Sequence, residues 1–162
     1  MRTRAAVSEI ACREQISNPL EGVPMNSSLI YWPVLAQLAI PVWVLLLNGK
    51  RKTVDRNSGN LDPNSPTDNT AWSLPVVLTS NALANQFQLP IIFYVLCLIL
   101  ADIGAVNGLV LGVCWAFVAT RLVHVYVHVM SNYVPSRQKA FIAGTLILLL
   151  LFGLTIYNLA AL

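Results

Sequence analysis

Arg121-Leu-Val-His124-Val-Tyr-Val-His128-Val-Met-Ser-Asn132-Tyr-Val-Pro135-Ser-Arg137 sets a permanent cation and two imidazoles inside an otherwise apolar run. Helical residues advance about 100° each, so with Arg121 at zero His124 falls at about −60°, His128 at about −20° and Asn132 at about +20°. These four share one arc, whereas Tyr126, at about +140°, points elsewhere. An arginine facing hydrocarbon costs roughly 2.5 kcal/mol or more, so the arc is expected to face other helices or a wet cavity, and it marks a candidate functional site. The alternative is that Arg121 and the histidines only tie neighbouring helices together.

The rest of the chain supports a membrane setting for this helix. Of 162 residues, 56% are hydrophobic and 10% charged, with a mean hydropathy of +0.65. That composition is too apolar for a water-soluble globule and describes an integral membrane protein, and its four apolar spans make it an all-α four-helix bundle. The net charge of +3 says little, because the ten Lys and Arg are clustered and the clusters carry topology information. There is no long basic patch, and no nucleic-acid partner is expected. Cys97 and Cys114 lie in apolar spans and Cys12 in a polar leader; this placement describes neither a disulfide framework nor a zinc knuckle, and the three are read as packing residues.

Residues 1–24 contain Arg2, Arg4, Glu9, Arg13, Glu14 and Glu21 without an apolar core for a signal peptide. They are read as a polar extension, or as a mis-assigned start ahead of Met25, and are expected to be dispensable. Residues 25–162 form the membrane domain, with spans at about 28–47, 82–103, 107–130 and 138–160. Pro41 is expected to kink the first span, Tyr31 and Trp32 to sit at an interface, and Lys50, Arg51, Lys52 and Arg56 to end it in a first loop. In the second span the strictly apolar part, 89–101, is too short to cross alone. Extending it back adds Asn81, Asn85 and Gln88, which lie within about 60° of one another on a continuous helix and form a second polar arc. Pro90 then frees a carbonyl for a partner.

Gly104, Gly108, Gly112, Ala116 and Thr120 recur every fourth residue, a small-xxx-small row for which close helix contact is expected. The aliphatic fourth span, with Gly144 and Gly153, is expected to face lipid for most of its length. Loop one carries Lys50, Arg51, Lys52 and Arg56 and loop three carries Arg137 and Lys139, whereas loop two carries no Lys or Arg. Loops one and three are therefore expected in the cytoplasm and both termini on the opposite side.

Both polar arcs and Arg137 converge toward one end of the bundle, where a pocket for a polar or anionic ligand is expected. The four spans, Asn85-x-x-Gln88-x-Pro90, Arg121-x-x-His124 and Pro135-x-Arg137 resemble the MAPEG family, the membrane-associated proteins in eicosanoid and glutathione metabolism, in a bacterial-type form, over about residues 25–162. The resemblance implies a homotrimer that, in enzyme members, binds glutathione between subunits and activates its thiol for transfer to, or peroxidase action on, a lipophilic small molecule. Other members bind membrane lipids or partners without catalysis.

Residue by residue, the resemblance implies that Arg121 matches an arginine facing the glutathione thiol, a catalytic role, and that Arg137 matches a second arginine near the start of the fourth span. His128 stands where glutathione-binding members often carry tyrosine. The family's Asn-x-x-Glu is here Asn85-x-x-Gln88, and its arginine one turn earlier is Asn81. The substrate- or cofactor-binding set implied is thus Asn81, Asn85, Gln88, His124, His128 and Arg137. Its two substitutions remove charge-assisted contacts worth roughly 1.5–3 kcal/mol each. An enzyme and a non-catalytic lipid- or partner-binding protein remain alternative readings. In a third, metal or haem reading, His124-x-x-x-His128 has ligand spacing but no third ligand near it, so no metal is expected.

Overall fold

The computed structural model describes residues 25–59 and 61–162, where every regular element is helical. The expected extension at 1–24 lies outside the described residues. A 3₁₀ turn, Ser27–Ile30, leads into α1, Tyr31–Asn57. Then come α2, Leu74–Asn85; α3, Leu89–Asp102; α4, Gly108–Met130; and α5, Val134–Ala160. Helices α2 and α3 are two parts of one crossing, giving four segments long and apolar enough to span a membrane, Ser27–Asn57, Leu74–Asp102, Gly108–Met130 and Val134–Ala160. The protein is an all-α membrane four-helix bundle.

The helices run beyond the expected spans at the basic end of the bundle. Lys50, Arg51, Lys52 and Arg56 are not in a loop but on the last turns of α1. Charge ends a hydrophobic span without ending a helix, and no glycine in a left-handed conformation occurs until Gly59, at φ 74°. At 1.5 Å per residue the helix is about 40 Å long, so it outruns a hydrocarbon core of about 30 Å. Arg51 fastens the overhang: Nη1 donates to the Pro75 carbonyl at 2.9 Å and Nη2 to the Val129 carbonyl at 3.4 Å, joining α1 to α2 and α4. The second crossing begins at Leu74 rather than at 82, with Pro75 in its first turn, where no amide is needed. The same logic puts Pro135 in the first turn of α5, so that Arg137 and Lys139 are helical rather than in a loop.

The break in the second crossing lies at Gln86–Gln88, one turn before Pro90. A proline lacks the amide and its ring collides with the carbonyl four residues earlier, so a continuous ladder through Gln86 is not available. Gln86 and Phe87 instead close tight turns onto the Leu83 and Ala84 carbonyls, at 2.9 and 3.1 Å, and α3 restarts with Pro90 in its first turn. Pro41, in contrast, lies within an unbroken α1.

Phe93 and Phe117 stack at 4.6 Å between α3 and α4, with Leu96, Leu100, Val110 and Val113 buried around them. Cys97 and Cys114 are buried free thiols in contact at 3.7 Å, in keeping with a packing role. The closest seam is α4 with α5, whose Gly144, Leu148, Leu151 and Thr155 form a buried stripe while Leu146, Leu149, Leu150 and Ile156 face out. Here the small residues act differently from the expected row. A Cβ on Gly108 or Gly112 would meet nothing within 4 Å, so neither makes a close contact within the subunit, whereas one on Gly144 would lie 3.1 Å from Thr120 Oγ1. The four-residue row winds around the helix, and only its last member, Thr120, reaches the α5 seam.

The α1–α2 connection is pinned rather than free. Trp72 Nε1 donates to the Ser65 carbonyl at 2.7 Å, and Lys52 Nζ lies 5.0 Å from the centroid of a Trp72 ring. The Thr70 hydroxyl and then its amide, at 2.7 and 2.8 Å, hold the Asp68 carboxyl below its ordinary pKa.

Candidate functional site

The basic residues of α1 and α5 mark one end of the bundle, and at that end α2, α4 and α5 enclose a cavity of about 480 Å³. Asn81 and Asn85 line it from α2, His124 and His128 from α4, and Val134, Arg137, Gln138 and Phe141 from α5. Each helix contributes residues spaced by three or four, which share a face. The volume falls within the range of small-molecule sites. Five of the seven expected site residues therefore come together.

Arg121 and Gln88 are placed differently. Arg121 is fully buried and lies behind the cavity lining. Its Nη2 donates at 3.1 Å to the Asn85 carbonyl, an acceptor freed where α2 breaks. This is not the carbonyl that the missing Pro90 amide leaves free, which is that of Gln86, but its neighbour at the end of α2, where a cation also complements the helix dipole. Nε and Nη1 of Arg121 have no partner in the subunit. Gln88 stands immediately before α3 without a side-chain capping bond, is exposed, and does not line the cavity. The second polar arc presupposed a continuous helix, and the break at 86–88 rotates Gln88 out of it. Gln86, which the sequence did not single out, is buried instead, with Nε2 on the Ala82 carbonyl at 3.3 Å and Oε1 unpartnered.

His124 is oriented by α5, and His128 packs against its ring. His124 Nδ1 lies 3.1 Å from the Arg137 carbonyl. A carbonyl only accepts, so this bond places a proton on Nδ1 and leaves Nε2 of the neutral ring as a lone-pair acceptor. Nε2 is buried without a partner, as is His128 Nδ1. The two rings meet edge to face at 5.8 Å, and Phe141 braces His124 at the same centroid distance.

Asn132 is not the fourth member of a helical arc. It adopts φ 46°, and its amide bonds the Val127 carbonyl at 2.7 Å as α4 ends. Asparagine tolerates this left-handed conformation, which is why the helix stops there. Its Oδ1 accepts from Arg137 Nη1 at 2.8 Å, which orients the guanidinium and leaves its other donors uncommitted to Asn132. Asn81 is held by Asn69 of the α1–α2 connection, Nδ2 to Oδ1 at 3.4 Å. Val134, Gln138 and Phe141 were legible once Arg137 was chosen, since they lie three before, one after and four after it on one helix.

No Asp or Glu lines the cavity. Its polar wall is one guanidinium, two imidazoles and three amides, a donor-rich set suited to an anionic or strongly polar ligand. Among the described residues no three His, Cys, Asp or Glu side chains group as metal ligands.

Bundle and cavity together define a multi-pass membrane protein with a polar-lined cavity at its basic end. The MAPEG family model matches residues 29–157, and the chain belongs to that family, which includes glutathione-related transferases and peroxidases as well as non-catalytic members. Neither the curated proteins nor the solved structures yield a match.

Proposed function

We propose that this protein is a glutathione-dependent transferase or peroxidase acting on a lipophilic substrate, working as a homotrimer with the basic end of the bundle in the cytoplasm. The observation that carries the reading is Arg121, a buried cation with two unpartnered donors directly behind a donor-rich cavity. Glutathione supplies a sulfur nucleophile and two carboxylates. Arg137 suits one carboxylate, and Asn81, Asn85 and Gln138 suit the peptide groups. His124 lines the cavity and its Nε2, buried at rest, accepts the thiol proton once the ring turns toward the ligand, while the charge of Arg121 behind the lining favours negative charge on the sulfur. The ammonium group finds no carboxylate among the cavity residues, so weaker binding than in a cavity with an acidic residue is expected.

Arg137→Gln keeps a hydrogen-bonding side chain but removes the charge. It should weaken glutathione binding by about ten- to hundredfold, the equivalent of one charge-assisted contact. Titration calorimetry on the purified protein measures it, and equal affinities for wild type and variant would remove Arg137 from the site.

The absence of a carboxylate from the cavity wall favours a second reading, a non-catalytic lipid- or partner-binding member of the family. Lipid retained through purification, with no heat of glutathione binding, would support it over the enzyme.

The orientation is tested separately. Single cysteines at Thr53 and Asp102, both exposed, should label from opposite sides, Thr53→Cys from the cytoplasm and Asp102→Cys from the other face. The reverse pattern would invert the bundle.

A further inference from the structure

A second concavity, separate from the ligand cavity, lies where the overhanging end of α1 meets the start of α2. It encloses about 280 Å³ and joins two chemistries. Leu47, Val54 and Pro75 form its apolar wall, and Lys50 and Arg51 form its cationic rim. The wall continues onto exposed apolar surface, where Leu46, Val54 and Leu74 are 69%, 62% and 66% exposed, and of these Leu46 lies within the expected hydrocarbon.

The rim is prepared for an anion. Arg51 is held in place by its bonds to the Pro75 and Val129 carbonyls, and so it presents a fixed charge. Lys50 is exposed and makes no hydrogen bond or ion pair among the described residues. Asp55, the one carboxylate at the groove, takes the Ser73 amide at 2.9 Å through Oδ2. Lys50, Arg51, Lys52 and Arg56 against Asp55 alone leave four positive charges and one negative, a net +3 over the last turns of α1. The height is also right: a crossing of about 20 residues starting near Ser28 exhausts the hydrocarbon at about Leu47, so Lys50 and Arg51 stand at headgroup level.

We propose that this groove binds an anionic phospholipid, with the phosphate between Lys50 and Arg51 and one acyl chain descending along Leu46 and Leu47. A zwitterionic lipid offers the same phosphate, but its ammonium group would meet the net positive charge of the helix end. Selectivity for an anionic headgroup follows, at about fivefold per cation engaged.

The test uses the full chain, purified in mild detergent and given phosphatidylglycerol or phosphatidylcholine with identical chains, with retained lipid counted by native mass spectrometry. Phosphatidylglycerol should be retained in preference, and Lys50→Glu should lower its retention about tenfold or more. Lys139→Gln, a cation on α5 that does not line the groove, should leave retention unchanged and controls for general charge. Equal retention of the two lipids, or a Lys50→Glu protein that still prefers phosphatidylglycerol, overturns the proposal. Loss of the preference in millimolar inorganic phosphate without loss of bound lipid would make the groove a free-anion site and also overturn it. A changed oligomer mass in Lys50→Glu with lipid retention intact would assign the groove to a neighbouring copy instead.

Discussion

Replacing Arg121 with leucine is expected to lower glutathione-dependent turnover by about 10²–10³-fold, the usual effect of removing one preorganised donor from a developing anion. The bundle should survive the change because two effects oppose each other. Losing the bond to the Asn85 carbonyl leaves a buried acceptor unsatisfied, at a cost of about 1–3 kcal/mol. Removing a cation with no carboxylate beside it relieves a desolvation cost of similar or greater size. Turnover at saturating glutathione, measured together with thermal unfolding in detergent, separates the roles. A large loss of rate with nearly unchanged unfolding assigns Arg121 to chemistry. A collapse of stability would make it a structural cap for α2, and unchanged turnover would exclude it from the reaction.

Gly144→Leu should be the most damaging single change to the fold. Even a Cβ at this position would lie 3.1 Å from Thr120 Oγ1 and 3.8 Å from Arg121 Cδ, so a four-carbon side chain has no room unless α4 and α5 separate. Overpacking of this kind costs about 1–3 kcal/mol or more, and here it also displaces the arginine behind the cavity. Gly108→Leu with Gly112→Leu supplies the contrast, because both positions are open within the subunit. Thermal unfolding in detergent should fall sharply for Gly144→Leu and little for the double variant. If the double variant alone falls apart into smaller species, its glycines pack between subunits. If Gly144→Leu unfolds like the wild type, the α4–α5 seam is looser than described.

These two expectations rest on residues that the sequence disclosed unequally. Arg121, His124 and His128 were legible as one face because α4 continues without interruption through all three, and the 100° rule holds while a helix lasts. It failed for Asn132, which leaves the helix at φ 46°, and for Gln88, which lies beyond the break before Pro90. Gln86 was hidden for the same reason, since a continuous helix would have turned it away from the polar arc. The overhang of α1 was missed because hydropathy reports where the membrane ends, and helix-forming Lys and Arg carry the backbone past that point. Gly144 looked like a lipid-facing residue in an aliphatic run; only the partner across the seam, Thr120, shows why a side chain is excluded there. One of these gaps, Gln88, bears directly on the cavity, since its displacement removes one polar group from the lining.

A thiol is expected to ionise in front of Arg121, and ultraviolet thiolate absorbance on mixing the purified protein with glutathione at neutral pH measures it. A saturable rise in the wild type that is absent in Arg121→Leu, and absent when S-methylglutathione replaces glutathione, is the predicted result. A wild-type protein that binds no glutathione, or that binds it without any thiolate signal, would contradict this expectation.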